Sequence, residues 1–203
     1  MNDHNAPLEA LEARAPTLFV IAGMVMIVFA ANTYLKTFAG TSYPVIQGVI
    51  APSGFLVGVV GLFGLSHRLA DRTPRLARGA AGIALITVVG WVAIIVNGIG
   101  KTIGVLSQPS GPLAVIPLVV IVAMILGFGL FGAAILYTGA YSWIVGALLV
   151  LESAMFLVLV LDLAPYLLLV DFGHILAYLG IGIALWTTDV PSDSTNPAPD
   201  SAV

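Results

Sequence analysis

Asp171, His174 and Tyr178 follow i, i+3, i+7 spacing, so on a helix they form one polar stripe, and Glu152 lies upstream in a second apolar stretch. A carboxyl and an imidazole held together can keep or pass one proton near neutral pH, because burial disfavours either charge while pairing favours both. The surroundings raise the stakes. The chain has 203 residues, 60% apolar and 8% charged, with a mean hydropathy of +1.09, so its solvent is lipid for most of its length. A charge at the bilayer centre costs on the order of 2.5–3.5 kcal/mol on insertion scales, so these groups must be paired, neutral or facing a wet cavity.

A second set of polar residues, Asn32, Lys36, Asn97, Lys101 and Asp162, falls at the ends of apolar stretches, with Tyr166 at similar depth. Asn32 with Lys36, and Asn97 with Lys101, are four apart and share a helix face. Each lysine can snorkel to headgroups. Together with Asp162 they would form either an outer mouth leading down to His174 or salt bridges that tie helices together.

The elements that must position these groups are membrane spans. A hydrocarbon core of about 30 Å takes about 20 apolar residues in a helix that satisfies its own backbone. Six stretches qualify: Thr17 to Leu35, Pro44 to Ser66, Gly79 to Ile99, Leu113 to Tyr137, Tyr141 to Leu163 and Pro165 to Thr187. The expected fold is an all-α polytopic bundle of six transmembrane helices over 17–188, in hairpins 17–66, 79–137 and 141–187. Residues 1–16 precede it, with Pro7 to Ala15 as a short surface helix, and 189–203 read as a disordered acidic tail. In the last hairpin Glu152 and His174 lie roughly 18 and 15 Å from the turn at Ala164 and Pro165, both near midplane.

The segment His67 to Arg78 carries Arg68, Arg72, Arg75 and Arg78 against Asp71. By the positive-inside rule it is cytoplasmic, which puts both termini in the cytoplasm and Lys36 and Lys101 outside, in a multi-pass plasma-membrane protein. Anionic headgroups are the expected partners of the four arginines, and a homo-oligomer or another membrane protein is a further expectation. The first span is not read as a signal peptide, because Asp3, Glu9 and Glu12 outweigh Arg14 before it.

Shifting the chain by 65 residues aligns Asn32 with Asn97, Lys36 with Lys101, Thr37 with Thr102, Pro44 with Pro109 and Pro52 with Pro117. These are scarce types in so apolar a chain, and they suggest a duplicated helical hairpin in parallel orientation. A further step reaches Asp162. Pro52 and Pro117 are expected inside spans two and four, either as a pair of interrupted helices at a binding site or as two inherited kinks.

Several chemistries are excluded. A formal charge of -3 offers no basic excess for nucleic acid, and the lack of cysteine removes disulfides, thiolates and Fe–S clusters. Gly127, Gly129 and Gly132 spell G-x-G-x-x-G inside a span, where small residues serve packing and not dinucleotide binding, as do Gly58, Gly61 and Gly64. With His67 at the surface and His4 near the N-terminus, a bis-His haem within one chain is ruled out, and no lysine lies mid-membrane for a retinal Schiff base. No cofactor is expected. The function that follows is a small proton- or ion-linked transporter or channel-like protein using Glu152, Asp171, His174 and Tyr178. A non-catalytic subunit or scaffold is the alternative. A metal-dependent intramembrane enzyme, with Asp171 and His174 joined by Glu152 or Asp162, comes third.

Overall fold

The computed structural model describes residues 6–106, 115–161 and 167–188, and among them there are six long apolar helices and no strand. The helices are α1 (Ala6–Ala39), α2 (Ala51–Arg72), α3 (Pro74–Thr102), α4 (Ile116–Thr138), α5 (Trp143–Val160) and α6 (Leu167–Thr188). Each is long and apolar enough to cross a membrane. The chain is therefore suited to be a multi-pass membrane protein. Each helix packs on the next, and α6 returns to pack on α1, which closes the six into a ring.

Local chemistry sets the helix ends. α4 stops where Gly139 turns left-handed at φ +60°, and Ser142 caps α5 by accepting a hydrogen bond from the Ile144 amide at 3.4 Å. Thr73 alone separates α2 from α3. Pro74 disfavours helical backbone in the residue before it, and Thr73 accordingly sits at φ -141° and ψ 73°. The basic segment His67 to Arg78, expected as a loop, is thus helical on both sides of one residue.

The N-terminal expectation also changes. Pro7 to Ala15 is no separate surface helix but the start of α1, which continues through Pro16. Membrane helices tolerate proline where neighbours hold the chain, and here Ala15, Pro16 and Phe19 are buried while the Leu11 carbonyl lies against Gly64 of α2.

Pro52 has no amide hydrogen for the Gly48 carbonyl. The chain before it widens into a π-helical turn, Ile46–Ile50, in which the Ala51 amide donates to the Ile46 carbonyl. The Gly48 carbonyl oxygen abuts Gly98 of α3 so closely that a Cβ there would overlap it. Two glycines let the backbones touch, and a Cα–H···O contact is the physical compensation available to that carbonyl. Pro117, by contrast, stands in the first turn of α4, where an amide donor is not required. The two prolines are not a matched pair of interior interruptions.

Small residues make the other close approaches. Gly58 faces Tyr178, Gly61 faces Phe19, Gly129 faces the Ser153 hydroxyl and Gly132 faces the Gly146 carbonyl. The ring interior is aromatic, with Phe19, Phe55, Trp91, Phe128, Phe156 and Tyr178 buried from all six helices, whereas Leu85, Val89, Val92 and Val96 of α3 point outward as a lipid-facing surface should.

Gly98→Ala should therefore destabilise the bundle by about 1–3 kcal/mol through overpacking, whereas Gly79→Ala, with open space at its Cβ, should be neutral or stabilising by about 0.5–1 kcal/mol. Thermal unfolding of both variants in detergent checks this. Equal melting temperatures would refute the backbone contact.

Candidate functional site

Glu152 of α5 and His174 of α6 meet inside the ring. His174 Nδ1 lies 2.9 Å from Glu152 Oε1, and the residues are 2% and 0% exposed. Rings from two other helices build the surroundings. Phe55 meets His174 edge-on with centroids 5.2 Å apart and stacks on Trp91 at 5.0 Å, while Phe156 stands 4.8 Å from the imidazole. A hydrogen bond in such a dry site is strengthened, and its loss is costly.

Tyr178 lies one turn beyond His174 and is fully buried, with Phe19, Phe55 and Phe128 around it. A Cβ on Gly58 would come 2.5 Å from Tyr178 Cε1, so the phenol occupies the space that glycine leaves. Glu152 Oε2, Tyr178 Oη and Asp171 Oδ2 are buried with no close, well-aligned hydrogen bond, although the Tyr178 hydroxyl stands beside the Glu152 carboxyl and the Thr33 hydroxyl beside Asp171. Two of these atoms belong to the α6 stripe and the third faces it from α5, so the buried polar groups gather at the contact of these two helices.

On the other side of His174 a cavity of about 330 Å³ opens between α1, the π-helical turn, α2, α5 and α6. Its polar wall is Thr33, Lys36, Thr37, Gln47, Asp171 and His174, and its apolar wall includes Phe29, Phe55, Leu159 and Val170. The Thr33 hydroxyl donates to the Phe29 carbonyl at 3.3 Å and the Thr37 hydroxyl to the Thr33 carbonyl at 2.8 Å. The Thr37 donor is spent on the helix, while the Thr33 hydroxyl also stands beside the Asp171 carboxyl across the cavity wall. A smaller cavity of about 230 Å³ shares Phe29, Gln47 and Phe55 and reaches Pro52, Trp91 and Pro117.

The other expected mouth residues separate. Lys36 lines the cavity, but Asn32 is buried elsewhere in α1, its Oδ1 accepting from the Tyr43 amide at 2.8 Å. It ties α1 to the chain before the π-helical turn. Asn97 is half-buried and Lys101 exposed on α3, and neither is part of the cavity wall. Asp162 and Tyr166 lie outside the described residues. Thr33 and Gln47 are not singled out by the sequence, and Thr37 only as the repeat match of Thr102. Their signal was available in part, since Thr33 and Thr37 share the helix face that turns polar toward Lys36.

The opposite end of the ring holds a different network. Glu12 of α1 pairs with Arg68 and, at 3.2 Å, with His67, and it accepts from the Tyr141 hydroxyl at 3.3 Å. Arg68 also lies over the Tyr141 ring, and Arg72 donates to the Thr138 carbonyl at 2.7 Å. Two of the four arginines expected at headgroups are thus bound to protein. Arg75 and Arg78 are exposed.

Among the described residues no group of three His, Asp or Glu side chains is placed to hold a metal ion. No family model, curated protein or solved structure matches the chain. The site must be read from its own geometry.

The pair should behave as a coupled unit in stability. Glu152→Ala and His174→Ala should each cost about 1–3 kcal/mol by leaving the partner unsatisfied, and the double variant should cost clearly less than their sum. Unfolding of all three in detergent measures the coupling, and strict additivity would contradict the hydrogen bond.

Proposed function

We propose that this chain is a small proton-linked transporter of the plasma membrane, with Lys36 at the outer side and both termini in the cytoplasm. The observation that carries the reading is one cavity ending on a buried histidine that is itself hydrogen-bonded to a buried glutamate. Nδ1 is committed to Glu152, so Nε2 is the nitrogen that trades a proton with the cavity, and Asp171, one turn away on the same face, relays it from water. With one proton between the two groups the pair is neutral, and releasing it to the cavity leaves a single negative charge, so the pair never carries more than one net charge in the interior.

The orientation rests on the arginines, with Arg75 and Arg78 on anionic headgroups and Arg68 and Arg72 fixing the inner end of the ring. Tyr178 among its phenyl neighbours is the inner seal, so the described state is open to one side only. Transport then requires a second state in which the seal moves and the cavity closes, as alternating access demands.

That same seal favours a second reading, in which the polar stripe only fixes helix register and the protein is a membrane subunit or scaffold. The two are separated by function at constant fold. In proteoliposomes with a trapped pH dye, an imposed gradient should drive proton uptake in the wild type, and Glu152→Gln or His174→Gln should lower the rate by at least about tenfold. Elution volume and melting temperature certify folding of each variant. Unchanged uptake in folded variants would remove the transport reading and leave the scaffold.

A further inference from the structure

The cavity has a pattern of its own beyond the proton pair. One cation, Lys36, and one anion, Asp171, line the same enclosure of about 330 Å³, which is at the small end of ligand pockets. Asp171 is 6% exposed, and its Oδ2 is buried with no hydrogen-bond partner. The Thr33 hydroxyl stands beside the Asp171 carboxyl, yet Oδ2 itself has no partner, so the carboxylate keeps acceptor capacity for a ligand. The Thr37 hydroxyl has given its hydrogen to the Thr33 carbonyl, and the single hydrogen of the Thr33 hydroxyl serves the Phe29 carbonyl or Asp171, so both keep lone pairs for a ligand. The cavity wall around Asp171 therefore offers more acceptors than donors. An ammonium group has three N–H donors and no acceptor, which is the complement of a carboxylate oxygen and two hydroxyl lone pairs.

Lys36 at the rim offers the opposite chemistry, three donors for a carboxylate. The same cavity has an apolar wall of Phe29, Phe55, Leu159 and Val170. Resting on the transport reading above, we propose that the solute is a small zwitterion, with its ammonium on Asp171, Thr33 and Thr37, its carboxylate on Lys36 and a short apolar side chain against Phe29 and Phe55. Such a solute is neutral overall, so its entry brings no net charge into the bundle. Its ammonium then neutralises Asp171 next to His174, which ties solute occupancy to the proton site by simple electrostatics.

Three matched probes test this with the purified full chain in detergent, by isothermal titration: leucine, isopentylamine, which lacks its carboxylate, and 4-methylpentanoate, which lacks its ammonium. Leucine should bind more than about tenfold tighter than either fragment, because each missing group leaves a charged partner unpaired. Lys36→Gln, at an exposed position where folding is not at risk, should bring leucine down to the affinity of the amine. Asp171→Asn should bring it down to that of the acid. The proposal is overturned if leucine fails to bind at millimolar concentration, or if the fragments bind as well as leucine. It is also overturned if sodium chloride, but not choline chloride, stabilises the protein through Asp171 while leucine adds nothing, since that marks a plain cation site. Vesicle proton uptake without any solute scores the proton pair independently, so either claim can fail while the other stands.

Discussion

The hydrogen bond between Glu152 and His174 is the constraint around which the rest of the bundle is arranged. Both side chains are buried and bonded to each other at 2.9 Å, so each depends on the other as its nearest polar partner. That dependence fixes the facing of α5 and α6 at bilayer depth. Helix faces differ by 100° per residue, so a rotation large enough to part the pair would also carry Asp171 and Tyr178 out of the interior. The stripe along α6 then sorts by depth: Asp171 at the cavity, His174 at its floor, and Tyr178 sealed beneath.

Glycine and proline make that arrangement possible. Gly58 gives the Tyr178 ring its place, and the Gly48–Gly98 contact brings α3 against the widened turn that Pro52 forces. A π-helical turn rotates the residues before it relative to those after, and Gln47 of that turn forms part of both cavity walls. In a bundle that gains little from hydrophobic burial between helices, such close backbone packing is a principal source of cohesion. At the other end the Glu12, Arg68 and Tyr141 network locks α1, α2 and the α4–α5 connection together. Charged groups tie the ring at that end, and the cavity that reaches His174 opens toward the other.

The spans were legible because hydropathy over a helix length is a strong signal, and lipid permits few alternatives to a helix. The polar stripe of α6 was legible for the same reason, since spacing alone sets a shared face. The meeting of Glu152 with His174 was a question of azimuth, which matched depth does not answer, because a helix can turn without changing its hydropathy. Lys36 and Asn32 share a face by spacing, yet one reaches the cavity and the other bonds the Tyr43 amide. Neighbours decide between such fates. Arg68 looked like a headgroup ligand because its partner, Glu12, is distant in sequence and belongs to a segment expected to lie apart from the bundle. The π-helical turn was hidden too, since a proline announces a missing donor but not how the chain absorbs it.

The most direct test is nitrogen NMR of histidine-labelled protein in bilayers, with the His174 resonances assigned through His174→Gln and the pH stepped on each side in turn. The account predicts that His174 Nδ1 keeps its hydrogen bond to Glu152 while the state of Nε2 follows the pH of the Lys36 side. A His174 that holds one tautomer across the whole range of folded pH, or that responds only from the Arg68 side, would contradict it.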